Sequence, residues 1–266
     1  MSKPVTIAEP ERITIVGAWV HRITMRQAVD HIAQSLDAGK GGWVVTPNLD
    51  ILHKLTHDAA FAELVEPSTL RLADGMPLVW ASKLAGTPLP ERVAGSDLVW
   101  SLCERAAIDD RSVYLLGGDD GIAEKAKAVL KEKYDGLRVV GTRCPPFGFE
   151  KNQEEMDAIV AGLRDAQPDI VLVALGCPKQ ERLIDELRMQ FPKAWFLGIG
   201  ISLSFVTGDV RRAPAWCRKL GLEWAHRLFQ DPKRLAHRYL VIGIPFAVKV
   251  LIASLAARFR GGSGRT

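Results

Sequence analysis

The chain has 266 residues, of which 47% are hydrophobic and 25% are charged, and its formal net charge is +4. This composition excludes a disordered chain, and the length suffices for one large α/β domain, alone or with an appendage. Residues 211–266 contain twelve Lys or Arg against two Asp or Glu, so this segment has a charge of +10 and the first 210 residues −6. A basic end on an acidic body predicts an anionic surface as its partner, with a solvated basic face as the alternative.

The cysteines and the first residues indicate the compartment. The four cysteines are far apart and form no C-x-x-C pair, which predicts neither a zinc site nor a disulfide framework. The first twelve residues lack the apolar stretch of a signal peptide. We therefore expect the body of the protein to lie in the reducing cytosol.

Strand and helix patterns alternate along the first 200 residues. Apolar runs predict strands at residues 13–20, 43–46, 70–74, 112–116, 137–142, 169–175 and 194–199. Helical spacings predict helices at residues 25–36, 50–56, 58–65, 77–85, 154–166 and 180–190, with two more that end near residues 107 and 134. Ser96 and Asp97 are suitable caps for the helix that ends near residue 107. This alternation predicts an α/β fold, a Rossmann-like, mostly parallel sheet with helices on both faces.

The pattern changes near Gly208, which predicts an α/β domain over residues 1–208 and a basic, helical appendage over 209–266. Within the appendage, residues 240–257 contain one charged residue, Lys249, and form an apolar stretch of eighteen residues. A membrane span usually needs about 20 apolar residues. The basic helices, interleaved aromatic residues and short apolar helix favour a segment that lies in a membrane interface. A buried core helix and a true span are the alternatives.

Several common nucleotide and metal motifs are absent from the sequence. It has no P-loop, no G-x-S-x-G, no complete G-x-G-x-x-G and no Asp-x-Asp. His53 and His57, four residues apart on a predicted helix, are the one pair with metal-ligand spacing, and solvated surface histidines are the ordinary explanation. We therefore expect no metal ion and no cofactor.

Residues 70–80 are the most informative stretch of the chain. They predict a short strand, a sharp turn and the start of a helix, which leaves Asp74 at the carboxyl end of the strand and beside a helix N-terminus. Ligands of open α/β sheets bind at this edge. The helix dipole can keep a carboxylate ionised, and an ionised carboxylate suits a general base.

Other strand ends carry residues that suit a ligand with phosphate and sugar groups. A threonine hydroxyl and an asparagine amide can bind sugar hydroxyls or a base edge, although they also suit a turn. A glycine pair can present N–H groups to phosphate or form a plain tight turn. A loop arginine can neutralise a diphosphate, and a glutamine follows a third strand. These residues are Thr46, Asn48, Gly117, Gly118, Arg92 and Gln180. With Asp74 they predict a pocket for a nucleotide-sugar or nucleotide-phosphate.

At these positions the chain resembles the bacterial WecG/TagA/CpsF glycosyltransferases, glycosyltransferase family 26. The resemblance spans about residues 12–240, and the apolar segment beyond Tyr239 lies outside it. The matching segments are T-P-N at 46–48, A-D-G-M-P at 73–77, R-V-A-G-S-D at 92–97, L-G-G at 116–118, G-C-P-K-Q-E at 176–181, R-A-P-A-W at 212–216, G-L-E-W at 221–224 and R-L at 227–228.

The resemblance implies an inverting, metal-independent transfer of a sugar from a UDP-sugar to a sugar on polyprenyl diphosphate. It implies an N-acetylmannosamine-type sugar or glucose, the cytoplasmic face of the bacterial membrane, and cell-surface polysaccharide synthesis. The proposed base of the family falls on Asp74. The pocket residues fall on Thr46, Asn48, Gln180 and Arg92.

The resemblance also implies that the appendage docks on the membrane and closes the site, with Arg227, Arg234 and Arg238 as candidate charges. The expected partners are the donor, the lipid-linked acceptor and the inner-leaflet membrane surface, without nucleic acid. A second copy of the chain is a further candidate partner. Two alternatives stay open: a nucleotide-dependent Rossmann oxidoreductase, and a non-catalytic membrane adaptor of a polysaccharide assembly complex.

Overall fold

The computed structural model describes residues 8–261. The strands are β1 (Arg12–Ile15), β2 (Ala18–His21), β3 (Gly42–Val45), β4 (Leu70–Arg71), β5 (Ser112–Gly117), β6 (Arg138–Arg143), β7 (Ile170–Ala174) and β8 (Trp195–Gly198). The helices of the body are α1 (Met25–Asp37), α2 (Leu49–His57), α3 (Ala59–Val65), α4 (Met76–Leu84), α5 (Gly95–Ile108), α6 (Ile122–Lys133), α7 (Gln153–Ala166), α8 (Lys179–Arg188) and α9 (Ser202–Thr207). Then follow α10 (Ala215–Lys219), α11 (Glu223–Gln230), α12 (Pro232–Ala236) and α13 (Ile244–Gly261), with a π-helical segment at His237–Gly243.

Six strands form one parallel sheet, which confirms the predicted α/β fold, and their order is β4-β3-β8-β7-β5-β6. Their side chains alternate between the two faces, and both faces are apolar because both are covered. In β7, for example, Leu172 packs with α1, α5, α6 and α9, whereas Val171 and Val173 pack with α2, α3, α7 and α8. All six strands end at the same edge, called the carboxyl edge below.

The predicted strand at residues 13–20 is wrong in one respect: it is a hairpin that lies outside the main sheet. Val16 and Gly17 both have positive φ, 49° and 87°. A two-residue turn between antiparallel strands requires such angles, so the chain reverses between β1 and β2. The strand predicted at 70–74 is also shorter, because β4 ends at Arg71.

The last helix packs on the body through one side. Phe246 and Val250 of α13 are buried against α4 and α2, in a cluster that also includes the β1–β2 hairpin and that we call the third core. The exposed large apolar residues of this part of the chain are Leu240, Val241, Ile242, Ile244, Val248, Ile252, Leu255 and Phe259. The continuous helical stretch Pro232–Phe259 is long and apolar enough to cross a membrane by length and composition. The division into 1–208 and 209–266 stays a prediction.

Candidate active site

Asp74 lies at the carboxyl edge, between the N-termini of two helices. Beyond β4 the chain still pairs with the end of β3, since the Asp74 N–H donates to the Pro47 carbonyl at 2.8 Å. The helix α4 begins two residues after Asp74, and the first N–H of α5, that of Gly95, donates to Asp74 Oδ2 at 3.3 Å. The fold therefore gives the carboxylate the position that the sequence predicted.

The surroundings of Asp74 bring its pKa close to neutrality, so the expectation that a helix dipole keeps this carboxylate ionised is wrong. Burial raises the pKa from 3.8 to about 7, because a carboxylate loses hydration there. The charge of Arg92 and the N–H of Gly95 oppose this rise, whereas the charges of Glu223 and Asp97 add to it. A carboxyl group with a pKa near 7 can accept a proton and release it at physiological pH, as a general base must.

Beside Asp74 lies a group of five charged side chains, called the arginine cluster below. It consists of Arg92, Asp97, Arg212, Arg218 and Glu223. Asp97 accepts two hydrogen bonds from Arg212, at 2.6 and 2.8 Å, and lies 3.4 Å from Arg218 Nη1. Arg92 donates to Glu223 Oε2 at 2.8 Å and lies 3.5 Å from Asp97 Oδ2. The cluster therefore connects the α4–α5 region of the body with the segment that follows Gly208.

The role of Asp97 differs from the cap that the sequence predicted. Helix α5 begins at Gly95, and its N-cap residue, Ala94, forms no side-chain cap hydrogen bond. The carboxylate of Asp97 binds arginines instead. Burial raises its pKa, but the hydrogen bonds and charge of Arg212 outweigh this and hold it below the ordinary value, so Asp97 is ionised.

Four members of the cluster were missed by the sequence reasoning: Asp97 as an ion-pair partner, Arg212, Arg218 and Glu223. Asp97, Arg212 and Glu223 lie inside segments that match the family, and this was the available signal. Within the described residues, the Nε atoms of Arg212 and Arg218 are buried without a hydrogen-bond partner. Buried donors of this kind are normally satisfied, so these N–H groups are free to donate hydrogen bonds to an anionic ligand.

Thr46 and Asn48 stand where β3 ends, as predicted. The Thr46 hydroxyl donates to the Gly198 carbonyl at 3.4 Å and so connects the ends of β3 and β8. The side-chain oxygen of Asn48, Oδ1, accepts from the N–H groups of Asp50 and Ile51 and caps α2. Both residues therefore shape the carboxyl edge, and their roles in ligand binding stay predictions.

Gln180 is buried between two loops of the carboxyl edge. Its Oε1 accepts from the N–H groups of Gly176 and Gly200, at 3.2 and 3.0 Å, and its Nε2 donates to Glu181 at 2.9 Å. The amide thus holds together the loops that follow β7 and β8. The sequence predicted a rim position with access to a ligand; in the structure Gln180 is 4% exposed.

The backbone at the end of β5 requires the glycine pair. Gly117 and Gly118 have φ angles of +104° and +86°, and a Cβ on Gly117 would lie 2.5 Å from the Ala174 carbonyl oxygen. The Gly118 N–H donates to that carbonyl at 2.7 Å, so this N–H is engaged within the protein. A phosphate-binding role for the pair stays a prediction.

The three arginines proposed for the appendage have separate partners. Arg238 binds Asp50 at 3.1 and 2.7 Å, beside the start of α2. Arg234 is exposed and pairs with Asp231, and the guanidinium of Arg227 lies 6.0 Å from the ring centre of Phe205. Within the described residues, Arg212 and Arg218 are the appendage arginines that pair with Asp97.

The two histidines with metal-ligand spacing stack on each other. The ring centres of His53 and His57 are 4.3 Å apart, and both rings contact Phe246 of α13. Between residues 8 and 261, the structure contains no group of three or more His, Cys, Asp or Glu placed to hold a metal ion. These histidines pack the last helix onto α2.

A near-neutral carboxyl group and a set of arginines lie together at the carboxyl edge, where ligands of open α/β sheets bind. The chain belongs to the glycosyl transferase WecG/TagA/CpsF family, whose model matches residues 13–260. It is therefore a glycosyltransferase, and the alternative of a nucleotide-dependent oxidoreductase is wrong. The match extends past Tyr239, so the expectation that the apolar segment lies outside the family is wrong.

Two curated relatives carry the same name, N-acetylglucosaminyldiphosphoundecaprenol N-acetyl-beta-D-mannosaminyltransferase. The protein from Bacillus spizizenii is 33% identical over 207 residues, which cover 77% of this chain and 78% of that protein. The protein from Staphylococcus aureus is 29% identical over 226 residues, which cover 84% of this chain and 87% of that protein. The match to the family model, over residues 13–260, includes both the sheet and the C-terminal helices.

Proposed function

We propose that this glycosyltransferase moves an N-acetylmannosamine residue from UDP to N-acetylglucosamine on polyprenyl diphosphate, with inversion and without a metal ion. The names of the two relatives support this acceptor and this sugar. The observation that carries the proposal is Asp74, a carboxyl group with a pKa of about 7 beside the arginine cluster. The product would enter a cell-envelope polymer.

In the proposed reaction, the Asp74 carboxylate takes the proton of an acceptor hydroxyl. The oxygen of that hydroxyl then forms a bond to the anomeric carbon of the donor, and the bond from this carbon to the diphosphate breaks. The electron pair of the broken bond leaves with UDP. A single displacement of this kind inverts the configuration at the anomeric carbon.

The arginine cluster supports the second half of the reaction. UDP leaves as an anion, and charge that develops in a transition state is stabilised best by donors that are already in position. Arg92, Arg212 and Arg218 supply three positive charges within one group of contacts. In this proposal they do the work that a divalent ion does in many nucleotide-sugar enzymes.

The lipid acceptor requires a position at the cytoplasmic membrane surface, and α13 supports peripheral docking. The apolar side chains opposite its buried face are exposed, and the basic segment 211–238 precedes it. Apolar area and cationic charge act together in interfacial binding. Because Phe246 and Val250 hold α13 on the body, a helix lying on the membrane agrees better with the packing than a span does.

The activity is tested by a donor screen with purified full-length protein. UDP-N-acetylmannosamine, UDP-glucose and other UDP-sugars are mixed with synthetic polyprenyl-diphosphate N-acetylglucosamine and EDTA, and UDP release is followed. We expect release that depends on the acceptor, with UDP-N-acetylmannosamine as the donor, and loss of about 10²-fold or more in Asp74→Asn. Undiminished turnover by Asp74→Asn would show that Asp74 is not the base. If cells that contain only the Asp74→Asn protein still make the polymer, the adaptor alternative would be favoured.

Membrane docking is tested by a matched pair of substitutions. Ile252 on α13 and Ile108 on α5 are both exposed, at 64% and 74%, and only Ile252 lies on the proposed docking face. A buried isoleucine contributes about 1.5–3 kcal/mol, so Ile252→Glu should reduce binding to vesicles with anionic lipid about tenfold or more. Ile108→Glu should leave binding unchanged. Equal effects of the two substitutions would contradict this docking face.

A further inference from the structure

We infer that in the free enzyme the Glu223 carboxylate occupies the position on Arg92 that a phosphate group of the nucleotide donor takes in the complex. The donor diphosphate and the docked helix α11 then compete for one guanidinium. This inference rests on the proposed function and adds to it a binding subsite and an order of events: α11 leaves Arg92 when the diphosphate arrives.

The two carboxylates of the arginine cluster are held very differently. Asp97 accepts two short hydrogen bonds from Arg212 and lies near two further guanidinium nitrogens. Glu223 accepts one hydrogen bond, from Arg92 at 2.8 Å, and its other oxygen lies 3.7 Å from Arg212 Nε. Glu223 is therefore the anion that an incoming ligand can displace, while Asp97 keeps the arginines in place.

Arg92 is covered by the part of the chain that would have to move. Its side chain is 14% exposed, and Glu223, which covers it, is the first residue of α11, 131 residues later in the chain. None of the eight residues of α11, all of them described, is buried. Six of them, residues 223–228, are half-buried, so the ion pair between Glu223 and Arg92 is one of several contacts that hold this helix.

The charges of the cluster agree with a diphosphate as the displacing ligand. Three arginines and two carboxylates leave one positive charge while Asp74 is protonated. When Glu223 leaves, two positive charges remain, which equals the number of negative charges on the diphosphate of a nucleotide-sugar. The unpartnered Nε atoms of Arg212 and Arg218 are further donors for its oxygens.

The first test measures binding of UDP to the full-length protein by calorimetry. Charge-assisted hydrogen bonds contribute about 1.5–3 kcal/mol, so removal of the competing carboxylate in Glu223→Gln should tighten UDP binding about tenfold or more. Glu223→Ala should do the same. The control is Asp50→Asn, which breaks the Arg238 contact of the appendage without uncovering Arg92 and should leave UDP affinity unchanged.

The second test follows amide hydrogen exchange of residues 223–230 in the unaltered protein. UDP and inorganic pyrophosphate should speed exchange in α11, and uridine, which lacks the diphosphate, should have no effect. Slower exchange with UDP would mean that α11 closes on the ligand and would overturn the inference.

Failure of the proposed function and failure of the Glu223 inference give different results. If the protein turns over a UDP-sugar but Glu223→Gln binds UDP no more tightly, the inference alone is wrong. If neither protein binds UDP, the proposed function and the inference are both wrong.

Discussion

Replacement of Asp74 by asparagine should stabilise the folded protein at high pH while it removes activity. The folded protein keeps the Asp74 proton up to a pH of about 7, whereas the unfolded chain loses it near pH 3.8. The free energy of unfolding therefore falls as the pH rises through this interval, by about 1.4 kcal/mol for each pH unit. Asparagine has no such proton to lose.

The size of the effect follows from the two pKa values. Across the whole interval from 3.8 to about 7, the ionisation of Asp74 costs the fold about 4 kcal/mol. Between pH 5 and pH 8, the stability advantage of Asp74→Asn over the unaltered protein should grow by about 3 kcal/mol. This change in stability is a large part of the total for a typical domain, about 5–15 kcal/mol.

Urea unfolding at pH 5, 6, 7 and 8, followed by fluorescence of the seven tryptophans, measures this advantage directly. Asp135→Asn, at an exposed position on the surface, supplies the baseline for loss of a carboxylate. If the stability difference between Asp74→Asn and the unaltered protein is the same at all four pH values, the burial argument for Asp74 is refuted, and with it the assignment of a near-neutral base.

Three further predictions concern the base, the appendage and the hairpin. The value of kcat/KM should fall with a slope of one as the pH drops below about 7, because Asp74 becomes protonated; a flat profile from pH 6 to 8 would contradict this. Gly221→Ala places a Cβ 2.8 Å from Met76 Cβ, which should cost about 1–3 kcal/mol and speed proteolysis of residues 208–230. Gly208→Ala is the control, because Gly208 has a similar positive φ but no atom near the added Cβ. Equal rates of cleavage in the two variants would refute the packing argument. Burial lowers the pKa of His21 to about 4, so the free energy of unfolding should fall by about 3 kcal/mol as the pH drops from 6.5 to 4. Urea unfolding should show that His21→Asn lacks this fall.

The sheet and its carboxyl edge could be predicted because their signals are local. Buried parallel strands are continuous apolar runs, and parallel strands all end on one side, so Thr46 and Asp74 had to lie at the same edge. The family resemblance rests on the residues at these same strand ends. For this reason the position of Asp74 followed from the sequence without any knowledge of contacts between distant residues.

The rest of the site depends on contacts between distant parts of the chain. Asp97 and Arg212 are 115 residues apart, and nothing in the sequence near Asp97 distinguishes an ion-pair partner from a helix cap. The hairpin was missed for another reason. Its turn has a valine and not a glycine at the first position, and Val16 takes a positive φ that β-branched residues rarely adopt.

The third core has a consequence for the synthesis of the protein on the ribosome. It joins Val20 of the hairpin to Phe246 near the end of the chain, and more than two hundred residues separate them. At bacterial translation rates of roughly 5–20 residues per second, about 10–45 s pass between the two. During that time the apolar faces of α2 and α4 that α13 later covers are exposed, and chaperones or a membrane can reach them before the chain is complete.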